Sequence, residues 1–392
     1  MDDSPLRILT LADTPPDVNS GAAGTEVQTI EMLRALGHHV DTVWHDEMPH
    51  RIRHGNLHIL LELPRAYERA TAQALARGEY DVIHANQPHG YRAARLVHRI
   101  APRTLFVHRS HGFEPHAEET LRKWRQRFGN DERSLARRLA SLAVEPLLAR
   151  HSSLIAAEAD AHNLLCTGDA RFLEQRFGVD PAKIAVIPLA PPESYRSTSA
   201  PPMTADRLRS VLHVAQFDFF KAPMITAAAM NRLAAARADL RFVWVCARAH
   251  HDQVRALLSE DVRRRIEMLH WREQDDLREV YDRCGVFLFP SFFEGFGKTF
   301  LEAMARGLCV VAADAGGMRD VIRNGIDGLL VPPGDAEALT DAADALIGDL
   351  QSATTMSEAA ARRAREYSWE RVARETAGFY RRRLRVLRHE NI

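Results

Sequence analysis

Residues Phe289 to Gly317 read FPSFFEGFGKTFLEAMARGLCVVAADAGG. The apolar run from Val286 to Phe289 predicts a buried strand end, followed by a Pro-Ser-aromatic loop and a Gly-x-Gly turn at Gly295 and Gly297. A helix is predicted from near Lys298 to Gly307, a residue suited to ending it. Leu308 to Ala312 predicts a second strand, and Gly316-Gly317 opens the next helix. Strand, glycine loop, helix, strand is a βαβ unit. Its loop lies at the carboxyl end of the strand, where open α/β sheets bind ligands.

Two carboxylates are set into this segment, Glu294 and Glu302, eight residues apart. Glu302 sits among Phe300, Leu301, Ala303 and Met304, and an acid in a packed helix face must be paired or must hold a ligand. Lys298 and Thr299 occupy the first helical turn, where the dipole disfavours a cation unless an anion is bound there. The plainer alternative is a lysine extended into water, which costs only tenths of a kcal/mol.

The string EGFGKTFLEAMARG resembles the E-x7-E signature of the retaining glycosyltransferases of family 4. The likeness continues through GLCVVAADAGG and VIRNGIDGLLVPPGDAEAL, about fifty residues without a gap. The resemblance implies an α/β chain of the GT-B type. Two Rossmann-like β/α/β domains would face each other across a cleft, with a C-terminal helix crossing back to the first. It places an acceptor-binding domain over residues 1–195, joined by a helix from about 375 to 392, and a nucleotide-sugar domain over 206–370. It also implies a retaining hexosyl transfer from a nucleotide diphosphate sugar (UDP-, GDP- or another) to a hydroxyl of a glycan, a lipid-linked glycan or a small molecule. By resemblance Glu302 holds the ribose and Glu294 the sugar, while Gly295, Phe296, Gly297, Lys298 and Thr299 receive the diphosphate.

The chain opens on a similar unit: a strand from Leu6 to Ala12, a Pro/Gly/Asp-rich loop to Gly24, a helix to Leu36 and a strand from Val40 to Trp44. G-x-G-x-x-G is absent, so a dinucleotide fingerprint is not present. The family's G-G-x-E loop appears here as Ala23-Gly24-Thr25-Glu26, and its donor-approaching role is carried to Gly24 alone. Strand TLFVH, Thr104 to His108, ends in RSHGF; His111 resembles the family's histidine facing the donor sugar, with His108 left inside the strand. His151 to Ala157 and Ile184 to Pro188 are predicted strands, and Glu193 to Ala205 a Ser/Thr/Pro-rich linker. After the strand Val211 to Ala215, family members carry an arginine and a lysine for the phosphates. This chain keeps Lys221 but has Gln216 for the arginine. Trp271, after the strand Arg265 to Leu269, reads either as surface packing or as a base-stacking residue. Ser368 to Leu387 is an amphipathic helix with Trp369, Val372, Thr376 and Phe379 near one face.

Length and composition set the outer bounds. The chain has 392 residues, with 52 Lys+Arg balancing 52 Asp+Glu, so bulk charge does not point to nucleic acid. Four cysteines show no C-x-x-C and no metal-like spacing, which fits reduced thiols in a cytoplasmic protein. The acidic amino terminus is not a signal peptide, and no apolar run reaches membrane-spanning length. Residues 122–138 are basic, with Trp124 and Phe128 interleaved. They read as a solvated helical surface, or as a peripheral patch for anionic lipid at the inner face of a membrane or for an anionic glycan acceptor. No D-x-D occurs, so neither a metal nor a cofactor is expected. Three other classes remain: a glycoside hydrolase using Glu294 and Glu302, a nucleotide-sugar-binding subunit without activity, and an NAD enzyme.

Overall fold

The structure is a computed structural model. It describes residues 4–18, 20–48, 51–52, 55, 57–128 and 135–390, without the side chains of 135–145 and 390. The chain forms two compact units. One comprises Met1–Glu119, Arg125–Pro188 and Trp369–Ile392, the other Thr120–Trp124 and Leu189–Ser368.

The first unit is built on β1 (Arg7–Leu11), β2 (His39–Val43), β3 (Val82–Asn86), β4 (Leu105–Arg109), β5 (Ala161–Leu164) and β6 (Ile184–Val186). They form one parallel sheet in the order β2-β1-β3-β4-β5-β6. β3 and β4 are buried at every position, as expected for parallel strands covered on both faces. The order reverses between β1 and β3, so the loops leaving those two strands diverge and open a crevice at their carboxyl ends.

The second unit repeats the plan with β7 (Ser210–Val214), β8 (Arg241–Val245), β9 (Ile266–Leu269), β10 (Val286–Phe289), β11 (Cys309–Ala313) and β12 (Leu329–Val331). Their order is β12-β11-β10-β7-β8-β9, the doubly wound arrangement with its switch point between β7 and β10. Those two strands pair only at Val286↔Val211 and Phe287↔Leu212. Beyond that point the buried His213 donates from Nδ1 to the Leu288 carbonyl at 2.8 Å, bridging the splayed ends.

The C-terminal helix Trp369–Glu390 belongs to the first unit. Ala373, Ala377, Phe379, Tyr380 and Leu384 enter one apolar core with Ile8, Ile30, Val82 and Leu105. The predicted face of Trp369, Val372, Thr376 and Phe379 is buried throughout.

Two readings of the sequence change. His151 to Ala157 is not a strand; it is the end of the helix Leu135–Glu158, and the strand is Ala161–Leu164. Its four residues, AHNL, bury His162 and Asn163, so the segment lacks the apolar signature of a strand. Glu193 to Ala205, read as a linker, is anchored in the second unit and begins with the helix Glu193–Ser197. The fully buried Arg306 donates to the carbonyls of Tyr195, Thr198 and Ser199 while paired with Asp282 at 2.6 Å. Arg207 donates to the carbonyls of Pro201, Pro202 and Arg306. Two arginines satisfy the backbone of a segment that has no ladder of its own.

Candidate active site

In the second unit the loops following β7 and β10 meet at the switch point. Asp218 caps the turn that carries Lys221, its carbonyl accepting from Lys221 N at 3.0 Å. Phe292 N donates to the Phe220 carbonyl at 2.8 Å and stitches the two loops together. Lys221 Nζ then donates to Glu294 Oε1 at 2.7 Å and lies 4.8 Å over the Phe220 ring. Ala222 follows with φ 53° and ψ 51°, a left-handed backbone that costs a residue with a Cβ about 1–3 kcal/mol. Among the described residues only Gln87 and Ala222 are non-glycines with positive φ; Gln87 directly follows β3, and Ala222 ends the loop that follows β7.

The helix Lys298–Ala305 begins at Gly297 with φ 87°. A Cβ there would lie 2.9 Å from the Phe289 ring and 3.3 Å from Glu294, so glycine lets the turn pass under the acid. Gly316 has φ 49°, and its Cβ would fall 2.0 Å from the Glu294 carbonyl oxygen. Glu294 and Glu302 are each 5% exposed. Burial pushes the Glu302 carboxyl above its ordinary range, against the pull of Lys298 and of the Tyr281 hydroxyl, which donates to Oε2 at 3.1 Å. Lys298 and Thr299 are half-buried in the first turn, where amide groups have no helical acceptors. Phe296 is buried against Phe300 and has only its backbone to offer a ligand, while Gly295 is buried beside it.

Gln216 has an exposed side chain at the end of β7. Trp271 is 39% exposed and follows β9, the outermost strand, with β8 between that strand and β7. The structure therefore does not gather Trp271 with Lys221 and Glu294.

In the first unit Gly24 and His111 are joined by a group to which the sequence assigned no role, Glu26. Gly24 is packed under the preceding loop, since a Cβ would lie 2.3 Å from the Val18 carbonyl oxygen. Two residues later Glu26, 1% exposed, pairs with Arg109 Nε at 3.0 Å and His111 Nε2 at 3.3 Å. Burial opposes its ionisation, but Arg109 and the hydrogen bond from His111 outweigh it and hold the carboxyl well below the usual range. His84 lies 3.8 Å from the same carboxylate. Burial lowers its pKa to about 4, so it is neutral at pH 7. With Asn86 Oδ1 accepting at 3.1 Å, the proton sits on Nε2, and Nδ1 accepts from the Tyr380 hydroxyl at 2.7 Å. His108 lies in β4, buried, with its Nδ1 3.1 Å from that of His162. The signal for Glu26 was an acid amid Val27, Ile30 and Leu33, the pattern that marked Glu302.

Of the basic residues 122–138, Arg122, Lys123, Arg125 and Arg127 lie on the helix Glu114–Phe128. Arg133 and the side chains of Arg137 and Arg138 lie outside the described residues. Among the described residues no helix is long and apolar enough to cross a membrane, and no three His, Cys, Asp or Glu are grouped to hold a metal ion.

Residues 209–349, which carry Lys221, Glu294 and Glu302, match the family described as "Glycosyl transferases group 1". The match is confined to the second unit and takes in β7 to β12. A "D-inositol 3-phosphate glycosyltransferase" of Kribbella flavida is 30% identical to the chain over 243 residues, 56% of each protein. The chain thus aligns with about half the length of that relative. A sucrose-phosphate synthase from Thermosynechococcus elongatus superposes with a TM-score of 0.74 at 21% identity, covering 96% of this chain and 98% of its own. Anabaena HepE in complex with UDP-glucose gives 0.66 at 19% identity, over 95% and 98%. The two units are the Rossmann-like halves of a GT-B fold.

Proposed function

We propose that the protein transfers a hexose-type sugar, with retention, from a nucleotide diphosphate sugar to a hydroxyl of an acceptor. The observation that carries the reading is the convergence of Lys221, Glu294 and the Gly297-capped helix at the switch point of a sheet within the family match. HepE, which shares the fold, is described as a complex with UDP-glucose, and a donor of that kind is assigned here to the second unit. The chemistry follows from charge. The anomeric C–O bond to phosphate breaks, the diphosphate leaves, and the acceptor oxygen bonds the anomeric carbon on the same face while its proton passes to a departing phosphate oxygen. Lys221, Lys298 and the amides at Gly297 to Thr299 stabilise the developing negative charge. Because that positive charge comes from the protein, the proposed reaction is metal-free. Glu302 accepts from the ribose hydroxyls, Glu294 from the sugar hydroxyls, and His111 is assigned to the sugar from the first unit. Arg122, Lys123, Arg125 and Arg127 are proposed to meet an anionic membrane peripherally, which cosedimentation with phosphatidylserine vesicles tests.

A thermal-shift screen against UDP-, GDP-, ADP- and TDP-sugars, with and without EDTA, is the direct test. One base series should stabilise the protein equally in both conditions, and Glu302→Ala should weaken that response. No shift with any donor sinks the reading; a shift abolished by EDTA sinks the metal-free part. NMR of the product anomer decides retention.

A further inference from the structure

The crevice at the first unit's switch point deepens into a cavity of about 490 Å³, within the range of small-molecule sites. Its wall contains His111, and it takes residues from the loops after β1 and β3 and from the helix Leu135–Glu158. Apolar groups make up much of the lining, Ile59, Pro88, Pro115 and Leu148 among them. Its acidic side chains are Asp13, Glu114 and Glu118, and among the described lining residues there is no lysine or arginine.

Two of those carboxylates have partners, Asp13 with His45 at 3.0 Å and Glu118 with Arg125 at 3.0 Å. Glu114 is different. Its Oε2 is closed to solvent and has no hydrogen-bond partner. Burial, with Asp169 nearby, pushes its pKa up to about 8, so at neutral pH it is largely an uncharged acid able to donate.

Gln87 supplies the second polar feature. Its N–H donates to the Arg109 carbonyl at 2.9 Å, fixing it at the end of β3, and its backbone adopts φ 66° and ψ 164°. That region is almost confined to glycine, and such strain is concentrated at ligand sites. Gln87 also lines the cavity, and its Oε1 is buried without a partner.

We propose that this cavity is the acceptor site and that it selects an uncharged polyol with an apolar flank, rejecting phosphorylated or carboxylated acceptors. The inference rests on the glycosyl-transfer reading for the word acceptor, though not for the occupancy of the cavity. The apolar wall covers the C–H face or aglycone of the ligand, and Gln87 and Glu114 serve its hydroxyls. A phosphate placed there would meet the carboxylates of Asp13 and Glu118 with no lysine or arginine among the described lining residues, an arrangement that discriminates by repulsion. The phosphorylated acceptor named for the Kribbella flavida relative is therefore not transferred to this chain.

The test is direct binding of octyl β-D-glucopyranoside, glucose 6-phosphate and inositol phosphate to the full chain by saturation-transfer NMR, without donor. The octyl glucoside should bind at least tenfold more tightly than either phosphate ester. Ala149→Trp, on an exposed helical position lining the cavity, should weaken it at least tenfold while leaving donor-induced thermal shifts intact. Glu114→Lys should narrow the preference at least tenfold; Glu114→Gln, which keeps shape and a donor, should change it less than threefold. Tighter binding of a phosphate ester, or no binding of the octyl glucoside, overturns the proposal. Binding of the glucoside by a protein that answers to no nucleotide sugar would instead overturn the transferase reading and leave the cavity's chemistry standing.

Discussion

Glu26→Gln isolates the charge that organises the first unit. Glu26 and Arg109 are each 1% exposed, with 3.0 Å between carboxylate and guanidinium. Glutamine preserves the shape and leaves Arg109 charged in the interior, and breaking one side of a buried pair costs about 3–5 kcal/mol. For a unit of this size that corresponds to a fall of roughly 6–20 °C in the midpoint of its transition. Converting both partners, Glu26→Leu with Arg109→Met, should recover most of the loss, because a buried pair is replaceable by apolar groups. The pH dependence has a definite sign. The folded carboxyl titrates well below the ordinary value of 4.5, so its contribution is complete above that value and declines as pH falls toward the folded one. The gap between wild type and Glu26→Gln should shrink by about 1.4 kcal/mol for each pH unit below 4.5. Differential scanning calorimetry at pH 7.0 and 3.5 measures both quantities. A fall under about 2 °C at neutral pH, or a gap of equal size at both pH values, refutes the argument.

Three further substitutions bear on the second unit. Lys221→Met removes the cation 2.7 Å from Glu294 and should weaken nucleoside diphosphate binding roughly 10- to 100-fold, the value of a charge-assisted bond; unchanged affinity in calorimetric titration would confine Lys221 to holding Glu294. Gln216→Arg, at an exposed position beside the Lys221 turn, should tighten the same ligand about tenfold, and a looser complex would show that Gln216 has another task. Gly316→Ala would place a Cβ 2.0 Å from the Glu294 carbonyl oxygen at φ 49°, so the donor-induced thermal shift should disappear even where the protein stays folded by circular dichroism. An undiminished shift would mean that the loop tolerates displacement of Glu294.

The elements around Phe289 to Gly317 were legible because each local signal agrees with the others. An apolar strand, a glycine that must adopt φ 87°, and a glycine at the helix end with φ 67° leave one arrangement. The acid Glu302 was legible for the same reason, since four apolar neighbours leave a carboxylate on that helix nowhere dry to go without a partner. Glu26 has a comparable setting, yet its partners Arg109 and His111 are more than eighty residues away, and sheet order alone brings them together. The strand Ala161–Leu164 was missed because a buried His162 and Asn163 erase the apolar signal. The anchoring of Glu193 to Ala205 was missed because Arg306 and Arg207, which satisfy its carbonyls, read locally as surface charges.

Glu294 and Glu302 occupy one short segment in opposite electrostatic conditions. Glu294 has a cation at hydrogen-bond distance. Glu302 has a phenol and a more distant Lys298, and burial raises its pKa. Neither arrangement is what stability alone would select: a glutamine at 302 would avoid the desolvation penalty, and an apolar pair would replace Lys221 and Glu294 at little cost. Each excess is removed by one kind of ligand. Hydroxyl groups on Glu302 return the hydrogen bonds lost on burial, and an anion at the helix start takes up the positive charge of Lys221, Lys298 and the free amides. A ligand with both features, vicinal hydroxyls on one side of a diphosphate and a second hydroxyl-bearing ring beside Glu294, is a nucleotide diphosphate sugar. The desolvation of Glu302 and the positive charge at the helix start are thus the costs that the proposed donor would relieve.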